Sequence, residues 1–335
     1  MGQKGQNSIS RRQVLAAGTA LAAIAGALPV RAQSNDAGSQ HVVIITGTSS
    51  GFGRLMTETF ARGGLRVVAT MRDVEGRNAI PAGEIRELAR RESLPIDVVD
   101  IDVRDDASVR SGVAEALRLA GRVDVLVNNA GIVVPGPVGL QPVDAFAANL
   151  NTNCHGALRM FRAVAPHMRE RGEGQVIQMS SALGRLLDPL LAGYCASKLA
   201  VEAACDAIAY EQSISGIEVS IIQPAGPYPT RLQANGLRNF EEMLAGLPES
   251  IRQGHADYAR HLTLTREGLV PDSTLSPQEI ADAAMSLIAL RRGTRPRRIV
   301  VGPYKDGITR LNSEHEAVQA DMVAGSGLEG FTILR

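Results

Sequence analysis

"TGTSSGFG", residues 46–53, is the stretch of this sequence that decides the fold class. It follows the β-branched run "HVVIIT", which is typical of a buried strand, and it precedes a helical pattern over residues 52–62. Glycines between a strand and a helix permit a tight turn and a close approach of backbone to phosphate, while the helix N-terminus offers donors and a positive dipole end. The stretch therefore predicts a nucleotide-binding unit of strand, turn and helix.

Strand-like and helical segments alternate along the chain after this turn. Most strand-like runs are continuously apolar, as in a parallel sheet covered on both faces. Including the first run, the seven predicted strands are 41–46, 65–70, 95–100, 123–128, 174–180, 217–222 and 297–301. Further helical patterns occupy 106–119, 142–170, 194–213 and 277–291. Ser276 and Glu279 are expected to form a capping box for the last of these. The alternation predicts an α/β fold: a Rossmann-type, doubly wound parallel sheet of about seven strands in one three-layer α/β/α domain.

Composition excludes several classes of partner. The 335 residues include 35 basic and 35 acidic ones, so no net charge steers the chain toward nucleic acid or an anionic membrane. An aromatic content of 3% and the lack of Trp argue against stacking platforms for single-stranded nucleic acid. The histidines and the cysteines Cys154, Cys195 and Cys205 lack metal-ligand spacing, so neither nucleic acid nor a metal is an expected partner.

The N-terminus has the features of an export signal. Arg11 and Arg12 precede a moderately apolar run over 14–30, and a small-residue spacing ends at Ala32. This arrangement resembles a twin-arginine (Tat) signal peptide. A membrane-anchoring helix is the alternative, but the run is short for a bilayer span, rich in Ala and Gly, and contains Pro29.

We therefore expect a Tat signal peptide over 1–32, cleaved after its last residue, and a polar linker over 33–40. The mature protein would then be periplasmic and would have no stable membrane span. A cytoplasmic location is the alternative if the N-terminus is not processed.

The glycine spacing and several later segments carry a family resemblance. Gly47, Gly51 and Gly53 form a Gly-x3-Gly-x-Gly pattern, and "NNAG" at 128–131 follows the fourth strand. In order and spacing these segments resemble the short-chain dehydrogenase/reductase (SDR) family over roughly residues 41–304. The resemblance implies a reversible oxidoreductase that exchanges hydride between a nicotinamide cofactor and a carbonyl or alcohol.

The same resemblance implies the cofactor contacts. Asp102 stands where the family has a carboxylate near the adenine. The contacts implied around it and around the glycine-rich turn are Gly47, Ser49, Ser50, Gly51, Phe52, Gly53, Val103, Asn129, Ala130 and Gly131. After the sixth strand, "QPAGPYPT" resembles the family's Pro-Gly segment at the nicotinamide, which adds Pro224, Gly226 and Thr230. This segment departs from the family pattern at Ala225 and by one apparent extra residue.

The end of the second strand, "VVATMRD", bears on the choice of cofactor. A carboxylate there would bind a ribose 2′-hydroxyl, whereas a guanidinium accommodates a 2′-phosphate. Thr70 ends the strand and Arg72 follows, so the sequence predicts NADP(H) over NAD(H), with Ser50 able to assist. Asp73 either weakens this preference or is a solvated turn residue.

Tyr194 and Lys198 lie four residues apart in "YCASK", at the start of a helical pattern, so their side chains leave the same face. A surface pair at helical spacing is one interpretation, and an acid–base pair that also contacts the cofactor is the other. A general acid/base tyrosine needs its pKa lowered from about 10 toward neutrality, which requires roughly 4 kcal/mol. One cation about 4 Å away supplies about 4 kcal/mol at an effective dielectric of about 20. We therefore expect Lys198 to lower the pKa of Tyr194.

The family's serine and asparagine complete the expected catalytic set. Ser181 lies thirteen residues before the tyrosine and is expected to hydrogen-bond both the substrate and the phenol. Its neighbour Ser180 is expected to face the other way. Asn153 matches the family residue that holds a helix kink and a water linked to the lysine, and Asn149 and Asn151 are nearby alternatives.

Within the family, the motifs look most like the branch that contains 17β-hydroxysteroid and retinol dehydrogenases, which implies a lipophilic substrate.

We expect a catalytic domain over 41–304 with a substrate lid at 227–265, and a C-terminal tail at 305–335. The expected partners are a small carbonyl or alcohol substrate and further copies of the chain, in a homo-oligomer (dimer or tetramer). The alternative function is a non-catalytic NADP(H)-binding sensor or scaffold, against which the complete serine, tyrosine and lysine set argues.

Overall fold

The computed structural model describes residues 41–254 and 258–326. Seven parallel strands form one sheet in the order β3-β2-β1-β4-β5-β6-β7. They are β1 Val42–Thr46, β2 Arg66–Met71, β3 Ile96–Asp100, β4 Val125–Asn128, β5 Gly174–Met179, β6 Ile217–Pro224 and β7 Arg298–Val301. Each of the predicted strands is confirmed.

Eleven α-helices lie in the part of the chain that the structure describes. They are α1 Gly51–Arg62, α2 Ala79–Glu92, α3 Asp106–Ala120, α4 Val143–Leu150, α5 Gly156–Arg171, α6 Ala192–Gln212, α7 Arg231–Ala245, α8 Glu249–Gly254, α9 Tyr258–Gly268, α10 Gln278–Ala289 and α11 Lys305–Ala324. Most of them connect consecutive strands, as the doubly wound prediction requires.

Helices cover the sheet on both faces because alternate strand residues point in opposite directions. Ile44 and Leu126 belong to an apolar cluster with residues of α3, α5 and α6. Ile45 and Val127 belong to a second cluster with residues of α1, α2 and α10. The three-layer α/β/α architecture is therefore confirmed.

The strand order creates one crevice at the centre of the sheet. The chain runs outward from β1 to β3 and then crosses back to β4, which pairs with β1 through Ile45 and Val127. Connections leave the carboxyl ends of β1 and β4 in opposite directions, and ligands of doubly wound folds bind where this reversal occurs. Thr46 and Asn128 end these two strands and therefore mark the place of the candidate site.

Two helix predictions are corrected in detail. The single helix expected over 142–170 is α4 and α5 joined by a π-helical turn, Asn151–His155, in which the extra residue widens the backbone ladder. The capping box of α10 does not form, since its N-cap is Pro277 without a side-chain bond. The carboxylate of Glu279 instead accepts the hydroxyl of Tyr228.

The two segments predicted outside the sheet contain regular structure. The lid predicted at 227–265 contains α7, α8 and most of α9, which continues to Gly268. The tail at 305–335 begins with the long helix α11, to which the sequence assigned no structure, and its residues from 327 lie outside the described residues.

The predicted signal peptide, 1–32, and the linker, 33–40, also lie outside the described residues. Within 41–254 and 258–326, no helix has both the length and the hydropathy needed to cross a bilayer. The same residues contain no cluster of three or more His, Cys, Asp or Glu side chains arranged to bind a metal.

Candidate active site

The glycine-rich turn between β1 and α1 has no space for side chains. Gly47 and Gly51 have φ angles of +71° and +56°, which favour glycine. A Cβ atom at Gly53 would lie 2.3 Å from the carbonyl oxygen of Gly47 and 2.5 Å from Nδ2 of Asn129. The turn thus leaves bare backbone at the N-terminus of α1, which fits the pyrophosphate of a dinucleotide.

Asn129 and Thr46 join this turn to the end of β4. Nδ2 of Asn129 donates to the carbonyl oxygens of Thr46 (2.8 Å) and Gly47 (3.1 Å). Oγ1 of Thr46 accepts from the backbone N–H groups of Asn129 (3.0 Å) and Ala130 (2.9 Å). A Cβ at Gly131 would lie 3.3 Å from Oδ1 of Asn153. Thr46 was not among the predicted site residues, although a strand-ending threonine directly before the turn is a usable sequence signal.

The remaining residues of the turn leave polar groups at its surface. Ser49 and Ser50 are partly exposed, and Ser50 precedes α1 without making a side-chain capping bond. The ring of Phe52 packs edge-on against Tyr228, with 5.6 Å between ring centroids. The hydroxyl of Ser50 is therefore not used to cap α1, and both serine hydroxyls lie where a phosphate is expected.

The segment after β6 lies against the glycine-rich turn. Thr230 caps α7 with its hydroxyl, and a Cβ at Gly51 would lie 3.3 Å from the Cβ of Thr230. Pro224 ends β6, and a Cβ at Gly226 would lie 2.8 Å from Cδ1 of Leu275. The structure thus brings Thr230 to the turn, whereas Gly226 serves close packing beneath the segment.

Arg72 and Asp73, after β2, adopt different roles. Arg72 is partly buried, and no carboxylate of the described residues lies within ion-pair distance of its guanidinium. Asp73 is exposed, has a φ of 53°, and accepts the backbone N–H of Arg77 at 2.8 Å. Asp73 is therefore a solvated turn residue, and Arg72 is the charged side chain at this position.

Asp102 and Val103 lie after β3. Nε of Arg104 donates to Oδ1 of Asp102 at 2.9 Å, so this carboxylate is paired. Val103 is buried, and a Cβ at Gly156 would lie 2.8 Å from its Cγ2. The structure therefore brings Asp102 to the same strand edge as Arg72 but gives it a partner that sequence reasoning missed.

Tyr194 and Lys198 project from the first turns of α6 into the protein. Both are buried, with 9% and 5% of their surfaces exposed, so the interpretation as a surface pair is wrong. Nζ of Lys198 lies 5.6 Å from the centroid of the Tyr194 ring and donates to the carbonyl oxygen of Met179 at 2.9 Å. Met179 ends β5, so the lysine joins α6 to the edge of the sheet where the crevice lies.

The two adjacent serines after β5 point to different partners. Ser181 lies close enough to the phenol of Tyr194 to lower its pKa, and its Oγ accepts the backbone N–H of Leu183 at 3.1 Å. Oγ of Ser180 donates to Glu202 at 2.6 Å, inside the protein. The structure therefore brings Ser181, and not Ser180, to the tyrosine.

Asn153 occupies the π-helical turn between α4 and α5. Its Oδ1 accepts the N–H of Ile132 at 2.8 Å, and its Nδ2 donates to the Ile132 carbonyl (2.9 Å) and to Oγ of Ser197 (2.9 Å). Ser197 in turn donates to the carbonyl oxygen of Tyr194 at 2.7 Å. Asn153 therefore reaches α6 through Ser197, a residue that was not predicted. The alternatives lie elsewhere, because Asn149 contacts Val134 and Asn151 pairs with Arg159.

Comparison with known proteins agrees with this geometry. The family described as short chain dehydrogenase matches residues 41–239. The chain belongs to the short-chain dehydrogenase family. Members of this family are NAD(P)-dependent oxidoreductases that act on CH–OH groups.

Three proteins illustrate how similar this dehydrogenase chain is to its relatives. Mouse 17-beta-hydroxysteroid dehydrogenase type 1 is 34% identical over 227 residues, which are 66% of this chain and 61% of the mouse protein. The chain thus spans less than two thirds of that relative. A 3-ketodihydrosphingosine reductase of Bacteroides thetaiotaomicron is 32% identical over 262 residues, 78% of this chain and 88% of the reductase. A short-chain dehydrogenase/reductase of Burkholderia phymatum, solved in complex with NAD, has a TM-score of 0.68 at 25% identity and covers 84% of this chain and 95% of that one.

Burial controls the protonation of Tyr194 and Lys198. It raises the pKa of Tyr194 to about 12, although the hydrogen bond from Ser181 acts in the opposite direction. It also lowers the pKa of Lys198 to about 8, although the negative charge of Glu202 opposes this change. The expectation that Lys198 lowers the pKa of Tyr194 is therefore wrong for the protein by itself. Desolvation disfavours the charged form of both groups and is the largest cause of each shift.

The lowered pKa of Lys198 predicts a pH-dependent stability. Between pH 8 and pH 10.5 the unfolded chain keeps a proton that folded Lys198 has lost, so the free energy of unfolding rises with pH across this window. Lys198→Met removes this rise. The free energy of unfolding of both proteins is measured by urea denaturation without nucleotide. We expect the value for Lys198→Met, after subtraction of the wild-type value, to fall from pH 8 to pH 10.5.

The matched control is Lys305→Met, which removes an exposed lysine at the start of α11. Its difference from the wild type is expected to stay constant over the same pH range. A difference for Lys198→Met that is equally constant would contradict the lowered pKa.

Proposed function

We propose that this protein is an NADP(H)-dependent oxidoreductase that interconverts an alcohol and a ketone or aldehyde. The observation that carries this proposal is the placement of the buried Lys198 5.6 Å from the ring of the buried Tyr194, with Ser181 close enough to the phenol to lower its pKa. These groups lie at the carboxyl edge of the sheet, where the glycine-rich turn leaves backbone open to a dinucleotide.

Tyr194 is the proposed general acid and base. In reduction its phenol delivers a proton to the substrate oxygen, and in oxidation its phenolate removes the alcohol proton. Ser181 orients the substrate oxygen, because its hydroxyl lies close enough to the phenol to act on the pKa of Tyr194. When bound, the nicotinamide cofactor would supply or accept the hydride.

Lys198 and Asn153 support the tyrosine in different ways. Lys198 is cationic up to about pH 8, and its position leaves it able to donate to the cofactor's ribose. Asn153 maintains the π-helical turn and, through Ser197, the backbone of Tyr194. We propose that it also takes the relay role that the family resemblance implies.

Residues around the crevice would bind the rest of the cofactor. The glycine-rich turn with Ser49 and Ser50 would take the pyrophosphate, and the NNAG segment and Thr230 would line the path to the nicotinamide. The preference for NADP(H) is supported by Arg72, whose guanidinium forms no ion pair within 4 Å among the described residues, although the charge of Asp102 acts on it from farther away. Asp73 does not oppose it, because its carboxylate is used in a turn.

The proposed substrate is lipophilic. The names of two similar proteins refer to a steroid and a sphingoid base, which supports this class. Part of the apolar surface of the lid packs on the protein itself, since Phe240, Leu244 and Leu247 form a cluster with Leu140. Leu237 remains 37% exposed and is a lid residue that an apolar substrate would cover.

Tyr194→Phe separates the enzyme from the sensor or scaffold alternative. We expect kcat to fall at least about 100-fold with the dissociation constant for NADPH unchanged, because the change removes the transferable proton and little packing. The measurement is NADPH oxidation with a panel of steroid, retinoid, long-chain, short aliphatic and sugar carbonyl compounds. The control Tyr210→Phe, on the same helix, should retain full activity.

Two results would contradict the proposal. Cofactor binding without turnover on the whole panel would favour the sensor. Turnover confined to small polar sugars would exclude the lipophilic substrate class.

Arg72→Asp is expected to reverse the cofactor preference. The introduced carboxylate repels a 2′-phosphate and accepts a ribose 2′-hydroxyl. The ratio of kcat/KM for NADPH to that for NADH should fall at least about 100-fold, which corresponds to roughly 3 kcal/mol. Arg110→Asp, at an exposed position of α3, is the charge-matched control. An unchanged ratio in Arg72→Asp, or tighter binding of NADH by the wild type, would contradict the NADP(H) proposal.

We also propose export to the periplasm through the Tat pathway, supported by Arg11-Arg12 and the apolar run up to Ala32. Cell fractionation and N-terminal sequencing would test it. The expected mature protein begins at Gln33 in the periplasmic fraction, and replacement of both arginines by lysine should retain the full-length chain in the cytoplasm. A cytoplasmic wild-type chain that begins at its original N-terminus would contradict this proposal.

A further inference from the structure

A buried carboxylate lies one helical turn beyond Lys198. Glu202 is 1% exposed, and it was assigned no role by the sequence. Its Oε1 accepts from Ser180 (2.6 Å) and from Nε2 of Gln223 (2.8 Å). Its Oε2 accepts from Nε of Arg298 (3.1 Å) and lies 3.3 Å from Nη2 of Arg185. Burial of a carboxylate requires this many partners, so its four neighbours are fixed relative to α6.

Arg185 belongs to the loop that carries Ser181. The short 3₁₀ helix Ala182–Gly184 follows Ser181 directly, and Arg185 is the next residue. The backbone N–H groups of Gly184 and Arg185 donate to the carbonyl oxygens of Ser181 and Ala182. The position of the Arg185 side chain therefore sets the position of the loop and of Ser181.

The loop packs directly on Glu202. A Cβ at Gly184 would lie 2.3 Å from Oε1 of Glu202 and 2.8 Å from Oγ of Ser180. No side chain fits between the loop and the carboxylate. A displacement of Arg185 is therefore transmitted to the loop rather than absorbed by free space.

The C-terminal helix supplies the other contact of Arg185. Asn312 of α11 is 5% exposed. Its Oδ1 accepts from Nε of Arg185 at 3.0 Å, and its Nδ2 donates to Oε1 of Gln223 at 2.7 Å. Gln223 uses its own amide nitrogen for Glu202, so Asn312 supplies the hydrogen bonds of Arg185 Nε and Gln223 Oε1.

We propose that α11 is a positioning element for the catalytic loop, and that Asn312 is the positioning residue that fixes Ser181 through Arg185 and Glu202. This inference rests on the proposed role of Ser181. The tail of the chain thereby becomes part of the active-site framework. Tyr194 and Ser181 are aligned because the loop that carries Ser181 packs on a carboxylate that α6 itself supplies.

Asn312→Leu tests the proposal, because leucine has a similar volume and makes no hydrogen bond. We expect the amides of 184–186 to exchange hydrogen at least tenfold faster, measured by mass spectrometry, since Arg185 loses its acceptor. We expect kcat to fall about tenfold with the dissociation constant for NADPH unchanged, because the glycine-rich turn does not contact this network. The basic limb of the pH–rate profile should move to higher pH, since a displaced Ser181 no longer lowers the pKa of Tyr194.

Three variants serve as controls. Ser313→Ala, at the next and exposed position of α11, should leave exchange, kcat and pH profile unchanged. Ile280→Val removes one buried methyl group of α10 in the opposite layer, and it should lower stability without changing exchange at 184–186. Asn312→Asp retains the acceptor for Nε of Arg185 but removes the donor to Gln223. It should keep exchange at 184–186 slow, which also serves as the test if Asn312→Leu does not fold.

Different outcomes separate this proposal from the proposed function. Unchanged exchange at 184–186 in a folded Asn312→Leu would overturn the positioning role, and faster exchange with unchanged kcat would overturn its catalytic consequence. A wild type without turnover on any carbonyl would reject the proposed function, whereas the exchange experiment would still decide whether α11 fixes the loop.

Discussion

The close approach of the β1–α1 turn to the end of β4 is the constraint on which the rest of the site depends. Gly53 has no room for a Cβ against the carbonyl oxygen of Gly47, and Asn129 and Thr46 bond the two chain segments together. This contact closes one side of the crevice and leaves the N-terminus of α1 open. This contact sets the positions of the proposed cofactor-binding groups and of the NNAG segment. Through Gly131 it also sets the surroundings of Asn153.

Desolvation is the largest influence on the pKa values of Tyr194 and Lys198, the proposed acid–base pair. Burial favours the neutral phenol of Tyr194 and the neutral amine of Lys198 and so opposes the charge pair that simple Coulomb attraction favours. Ser181 and Glu202 act against burial, one by hydrogen bonding the phenol and the other by its negative charge. The positive ring of an oxidised nicotinamide would act in the same direction as Ser181. The acid–base pair is thus tuned by its surroundings as much as by its own spacing.

The lid and the C-terminal helix contact different sides of the candidate site. The lid helix α7 contacts the edge of the site, where Gly236 allows close packing on Val133 and Asn239 donates to the Val133 carbonyl. Helix α11 contacts the opposite side through Asn312. Both segments lie outside the repeating pattern of strands and helices, yet each touches a loop that borders the catalytic residues.

The sequence by itself determined the seven strands, the glycine-rich turn and the order of Ser181, Tyr194 and Lys198, because these depend on local periodicity and on spacing within one helix or turn. Only the tertiary structure decided which neighbours act together. Asp73 and Asp102 look alike in sequence, but one forms a turn and the other is paired with Arg104. Three further contacts depend on residues that are distant in the chain. Asn153 lies in a π-helical turn, Glu279 accepts the hydroxyl of Tyr228 instead of forming a capping box, and Asn312 accepts from Arg185. Buried polar groups must find partners wherever the fold provides them, and local sequence pattern does not contain that information.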